Sequence, residues 1–225
     1  MKIGILMTGH ALPDLIESVG DYDAMFARML DGHGFSLCRY DVVDGQFPPG
    51  PESCDGWLIT GSRHGTYEDH PWIAPLEALI KEIHAAARPL VGVCFGHQII
   101  AQALGGEVIK FPGGWSVGRT RYCIDGTDMA LNAWHQDQVV RPPEGATIIG
   151  HSEFCKNAAM RIGDSILTIQ PHPEFTPHVV RTIIDQRGKG VVPDDQLAAA
   201  TADLDTPTDS ARFADRIAAH FKKGA

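Results

Sequence analysis

Leu90-Val91-Gly92-Val93-Cys94-Phe95-Gly96-His97-Gln98 runs a short apolar strand into a Gly-x-Cys-x-Gly turn, and Ile99, Ile100 and Leu104 carry a helix on to Gly105. Strand, tight turn, helix is the pattern of a nucleophile elbow, here with sulfur in place of oxygen. A turn this tight crowds its own backbone, so the flanking positions favour glycine, and the central residue is expected in a strained conformation. Cys94 would then stand at the carboxyl end of a strand, facing the amino end of the next helix. Free N–H groups and a partial positive charge there favour a thiolate and a developing oxyanion. The same residues also admit a plainer reading, a buried structural cysteine beside two glycines.

Upstream of the elbow, Lys2 to Met7, Phe35 to Val43, Trp57 to Thr60 and Pro89 to Val93 read as short strands. Asp21 to Leu30 and Pro71 to Ala87 carry apolar residues at helical spacing. Strands alternating with helices predict an α/β fold with an open, mostly parallel central sheet covered by helices on both faces. After Gly106 the pattern changes. Glu107 to Lys110, Ser116 to Ile124, Leu131 to Trp134, Ala146 to His151, Ala158 to Ile162 and Ile166 to Gln170 read as strands without helices between them. These are expected as antiparallel hairpins at the sheet's edge. His178 to Gln186, Gln196 to Asp203 and Ser210 to Phe221 read as a helical tail. The expected organisation is one domain over residues 1–187, with 188–225 as its helical C-terminal extension.

The chain has 225 residues with 44% hydrophobic and 21% charged, the composition of a packed globule. Its net charge of −9 argues against nucleic acid or an anionic membrane surface as a partner, since both need clustered Lys and Arg. The five cysteines, Cys38, Cys54, Cys94, Cys123 and Cys155, are widely spaced with no C-x-x-C pair, so neither a disulfide scaffold nor a zinc ribbon is expected. No metal or cofactor is expected either. Met1 to Met7 looks like a strand rather than a leader, and no apolar run approaches the roughly 20 residues of a membrane span. A cytosolic protein with reduced thiols is the expectation.

A cysteine nucleophile needs a base, and the base needs a group that fixes its tautomer. Among 11 histidines, Gln170-Pro171-His172-Pro173-Glu174 stands out. It follows a strand, prolines stiffen it on both sides of His172, and Glu174 lies two residues on, in reach of the imidazole. An exposed loop histidine followed by a helix-start glutamate is the alternative.

Taken together, the two motifs resemble those of the class I glutamine amidotransferase family, and the resemblance runs from about Ile3 to Glu174. It implies a Cys94-His172-Glu174 triad that cuts the γ-amide of glutamine, or a γ-glutamyl relative, through a thioester. Ile59-Thr60-Gly61-Ser62 is similar to the family's glycine loop, which implies an oxyanion hole made by the N–H groups of Gly61 and Phe95. Gln98 matches the position that lies against the bound glutamine. Trp134-His135-Gln136-Asp137 resembles the Ser-His-Gly-Asp segment that holds the substrate's amino-acid end, with Gln136 in place of glycine. His135 and Asp137 are equally readable as local structure. Gly113-Gly114-Trp115 falls where members place a loop over the pocket.

The implied partners are a small-molecule substrate and a synthase subunit that receives ammonia. The stretch after Gly61, Ser62 to Asp69, departs from the family pattern. In overall pattern the chain is most similar to stand-alone members, GMP-synthase-like amidotransferases and γ-glutamyl peptidases. A cysteine-elbow stress protein or glyoxalase-like hydrolase would lack the His-Pro-Glu element, and a non-enzymatic subunit would have no need of it.

Overall fold

The computed structural model describes residues 1–223; the last two residues of the expected extension lie outside them. In chain order the elements are β1 (Lys2–Leu6), α1 (Pro13–Val19), α2 (Tyr22–Met29), β2 (Ser36–Tyr40), β3 (Gly56–Ile59), α3 (Ile73–Ala85), β4 (Leu90–Val93) and α4 (Phe95–Ala103). Then come β5 (Glu107–Lys110), β6 (Ser116–Ile124), β7 (Thr127–His135), β8 (Asp137–Arg141), β9 (Ala146–His151), β10 (Ala159–Ile162) and β11 (Ile166–Ile169). The chain closes with α5 (Pro177–Ile183), α6 (Asp194–Ala202) and α7 (Ser210–Lys223).

Nine strands form one sheet in the order β2-β1-β3-β4-β11-β10-β9-β6-β7. The first five pair in parallel, the doubly wound order of a flavodoxin-like sheet. The remaining strands pair antiparallel, as expected for the half after Gly106. β11 belongs to both regimes: it is parallel to β4 and antiparallel to β10. β5 and β8 make a separate two-stranded ribbon.

Side chains on the parallel strands alternate between two cores, as a period of two requires. Ile3, Ile5, Leu58, Val91, Val93, Leu167 and Ile169 point to one face. Leu6, Trp57, Ile59, Leu90 and Ile166 point to the other. The second face is covered by α3 and α4; Ile73, Leu76, Ile80 and Ile83 of α3 recur at helical spacing and are buried there. The first face is covered by the other helices, α7 among them, whose Phe213, Ile217 and Phe221 are fully buried. Asp209 anchors the start of α7 to β7, exchanging main-chain and side-chain bonds with Ala130.

Asp21 organises the first crossover. It caps α2 through the Tyr22 N–H, accepts from the Ala11 N–H at 2.9 Å, and meets His10 at 2.7 Å and Arg39 of β2 at 3.2 Å. The β6–β7 hairpin turns at Asp125-Gly126, both at positive φ, the backbone of a type I′ turn. This turn starts β7 at Thr127, earlier than the expected Leu131. The five cysteines are all free thiols, and no helix among the described residues is long and apolar enough to cross a membrane.

Candidate active site

The elbow forms at the carboxyl end of β4. Cys94 has φ 54° and ψ −104°, a region that costs a residue with a side chain about 1–3 kcal/mol. Main-chain bonds hold it there: its N–H donates to Ile169 O at 2.8 Å and its carbonyl accepts from Gln98 at 3.1 Å. The flanking glycines are sterically required. A Cβ on Gly92 would stand 2.5 Å from the Gly96 carbonyl oxygen, and one on Gly96 2.4 Å from that of Ile59.

β11 carries the second half of the site alongside β4, pairing Ile169 with Val93. The chain then turns through Pro171 and Pro173. His172 and Glu174 are each 4% exposed, and His172 Nδ1 lies 2.7 Å from Glu174 Oε1. Burial alone would lower the imidazole pKa. The Glu174 carboxylate, and after it Cys94, reverse the sign and push it up to about 10. Phe175 stacks on the ring at 3.9 Å between centroids and shields its face from water. Glu174 Oε2 is buried with no hydrogen-bonding partner among the described residues, so the imidazole is the group that answers its charge.

Gly61, at the end of β3, lies between these groups. A Cβ built on it would be 2.9 Å from His172 Cε1 and 3.8 Å from Cys94 Cβ, so ring and cysteine converge on one narrow cleft. Thr8, at the end of β1, fixes the peptide beyond it by donating from Oγ1 to the carbonyls of Thr60 and Gly61 at 3.0 and 3.1 Å. Neither the Gly61 nor the Phe95 N–H donates to a protein acceptor among the described residues.

The remaining expected residues form a tier beside the cleft. Gln98 donates to Asp137 O at 2.9 Å and to Gln170 Oε1 at 3.1 Å. His135 ends β7 with Nδ1 3.2 Å from Asp137 O, and burial with the nearby His172 holds it down to about 3, hence neutral. Gln136 turns away to the Phe111 carbonyl at 3.3 Å. Asp137 opens β8, a strand that the sequence reading treats as loop, and its carboxylate accepts from Tyr67 Oη at 3.0 Å. Burial raises the Asp137 pKa. Trp115 packs on Trp134 at 6.1 Å. A cavity of about 690 Å³ opens between β6 and α6, lined by Tyr122, Arg119 and Gln196 among others; Cys94, His172 and Glu174 do not line it.

Two contributors escape a reading of the sequence. Asn132 of β7 accepts the His172 N–H at 2.8 Å with its carbonyl and donates from its side chain to Phe175 O at 2.9 Å, clamping the His-Pro-Glu turn at both ends. Tyr67 ties the loop after Gly61 to Asp137. Asn132 acts chiefly through its main chain and gives no motif, whereas Tyr67 lies in the stretch whose departure from the family pattern is visible in the sequence.

Residues 44–186 match the glutamine amidotransferase class-I family. Among relatives, γ-glutamyl peptidase 2 of Arabidopsis thaliana is 30% identical over 194 residues, covering 79% of this chain and 78% of its own. The glutamine-hydrolysing GMP synthase of Clostridium acetobutylicum is 35% identical over 173 residues, which are 71% of this chain and 32% of that one. The crystal structure of a glutamine amidotransferase from Methylobacillus flagellatus superposes with a TM-score of 0.81 at 25% identity, covering 99% of this chain and 94% of that one.

Proposed function

The chain belongs to the class-I glutamine amidotransferase family, and from that footing we propose that it hydrolyses the γ-amide of glutamine through a γ-glutamyl thioester on Cys94. The observation that carries this reading is the buried His172–Glu174 pair, 2.7 Å apart, in one cleft with a cysteine held at positive φ.

The Cys94 thiolate adds to the side-chain carbonyl, forming a C–S bond and an oxyanion that the N–H groups of Gly61 and Phe95 receive. Protonated His172 gives its proton to the departing nitrogen as the C–N bond breaks and ammonia leaves. Acylation removes the thiolate charge that helped hold the proton on His172, so the ring becomes a better base. It then takes a proton from water, whose oxygen attacks the thioester; glutamate leaves and the thiolate returns. Glu174 orients the ring throughout. Gln98, His135 and Asp137 shape the side of the cleft where the amino-acid end of the substrate would lie.

Replacing Cys94 by Ala is expected to cut glutamate release by about a thousandfold or more. Retention of wild-type activity by a folded C94A protein sinks the assignment.

A second reading, hydrolysis of γ-glutamyl peptides, is favoured by the likeness to γ-glutamyl peptidase 2 over more than three quarters of both chains. The same triad serves it, with an amine rather than ammonia as leaving group. Parallel assays with glutamine, glutathione and γ-glutamyl dipeptides separate the two. A synthase subunit that takes up ammonia would raise turnover of glutamine, while a peptidase needs no such partner.

A further inference from the structure

The segment from Gly61 to α3 contains His64, Glu68 and His70, none of which enters the chemistry above. Short main-chain bonds fold it back on itself, Glu68 N–H to Gly65 O at 3.2 Å and His70 N–H to Glu68 O at 3.1 Å. The fold-back aims two imidazoles at one oxygen. Glu68 Oε2 lies 3.2 Å from His64 Nδ1 and 2.7 Å from His70 Nε2. One ligand atom from each of the three residues lies within 4.8 Å of the others.

Two imidazoles and a carboxylate are the donor set of borderline cations such as zinc. Tetrahedral zinc, with ligands at about 2.0–2.1 Å, spaces its donors roughly 3.3 Å apart, and the two imidazole nitrogens stand 3.2 and 2.7 Å from the carboxylate oxygen, one close to that spacing and one inside it. Trp72 walls the site: its ring stacks on His70 and meets His64 edge-on, each at 5.9 Å. All three side chains keep partial exposure, which leaves an entry path and room for water as a further ligand.

We propose that His64, Glu68 and His70 form a site for one divalent transition-metal ion of the zinc class. The ion fastens the loop that borders the Cys94 cleft. That loop begins at Gly61, bonds Asp137 through Tyr67, and leans on the elbow through Trp72, whose ring lies 5.5 Å from that of Phe95.

The test is titration of the chelator-treated full chain with Co²⁺, then with competing Zn²⁺. One equivalent of Co²⁺ is expected, with visible bands of nitrogen and oxygen coordination and no thiolate-to-cobalt charge transfer. Zn²⁺ should displace it and raise Tm. His64→Ala, His70→Ala and the milder Glu68→Gln should each weaken Co²⁺ binding at least about tenfold, since even the loss of a group that only orients a ligand costs about 10–100-fold, while keeping the metal-free Tm of wild type. Cys94→Ser should bind as wild type does. Unchanged affinity in the loop variants, a thiolate band, lost binding in C94S, or no binding by wild type at millimolar Co²⁺ each overturns the proposal.

Discussion

Burial by itself would drive the His172 imidazole towards its neutral form, yet Glu174 and then Cys94 lift it to about 10. Glu174→Gln removes the larger of the raising influences, so the ring should shed its proton at lower pH. The alkaline limb of kcat/KM against pH should shift downward, with a loss of about 10²–10⁴-fold in rate. A limb that stays in place in E174Q means that Glu174 does not govern the imidazole. Gly96→Ala tests the elbow itself. Its Cβ would meet the Ile59 carbonyl at 2.4 Å, backbone that cannot rotate aside. We expect a loss of about 2–3 kcal/mol, read as a fall in Tm of roughly 5–10 °C. At this scale the candidate cysteine, histidine and glutamate are legible because each stands in a stiff local pattern of glycine or proline. Asn132 is not, since a main-chain carbonyl leaves no trace in residue identity. The loop histidines were visible, but their convergence depends on a fold-back that no turn dipeptide announces.

Among the elements, α2 shows how one side chain sets a crossover. Asp21 is buried, and although burial pushes its pKa up, the Ala11 N–H and His10 pull it below the usual aspartate value. A lowered folded pKa stabilises above the unfolded value and loses that contribution as pH falls through the folded one. Asp21→Ala is therefore expected to cost about 2–3 kcal/mol at neutral pH. The gap to wild type should narrow once the pH drops below about 4. Denaturant melts of both proteins at neutral and acidic pH check this, and a gap independent of pH would leave the cap's charge without a role. The elements read best from sequence were those with a strong period, such as α3, where apolar residues recur at helical spacing. α1 escapes a reading of periodicity because it is seven residues long and buries a single apolar residue, Leu15. β8 gives no strand signal because its polar start resembles a binding loop, and the two-stranded pairing with β5 that makes it a strand is a long-range fact.

At the scale of the molecule, the sheet separates two cores, and the C-terminal helices complete the one under Cys94. Phe213 is fully buried on that side. Phe213→Ala should destabilise by about 3–5 kcal/mol, a fall in Tm on the order of 10 °C. A thermal melt that does not move would mean that α7 rests on the domain without supporting it. The parallel half with helices on both faces is legible because strands alternating with helices leave few other solutions. The double allegiance of β11 is not, because partners on either side of a strand are chosen by distant segments. That strand behaves as one jaw of a caliper, clamped rung for rung to β4 from Ile166 opposite Leu90 to Ile169 opposite Val93. Deleting a single residue between those rungs would retract the imidazole by about 3.3 Å and turn its strand face over. A change of length in the turn at Gly163 leaves the jaws set. The reacting gap is thus gauged first by strand pairing, and the turn that Asn132 clamps carries that setting the last few residues to the imidazole.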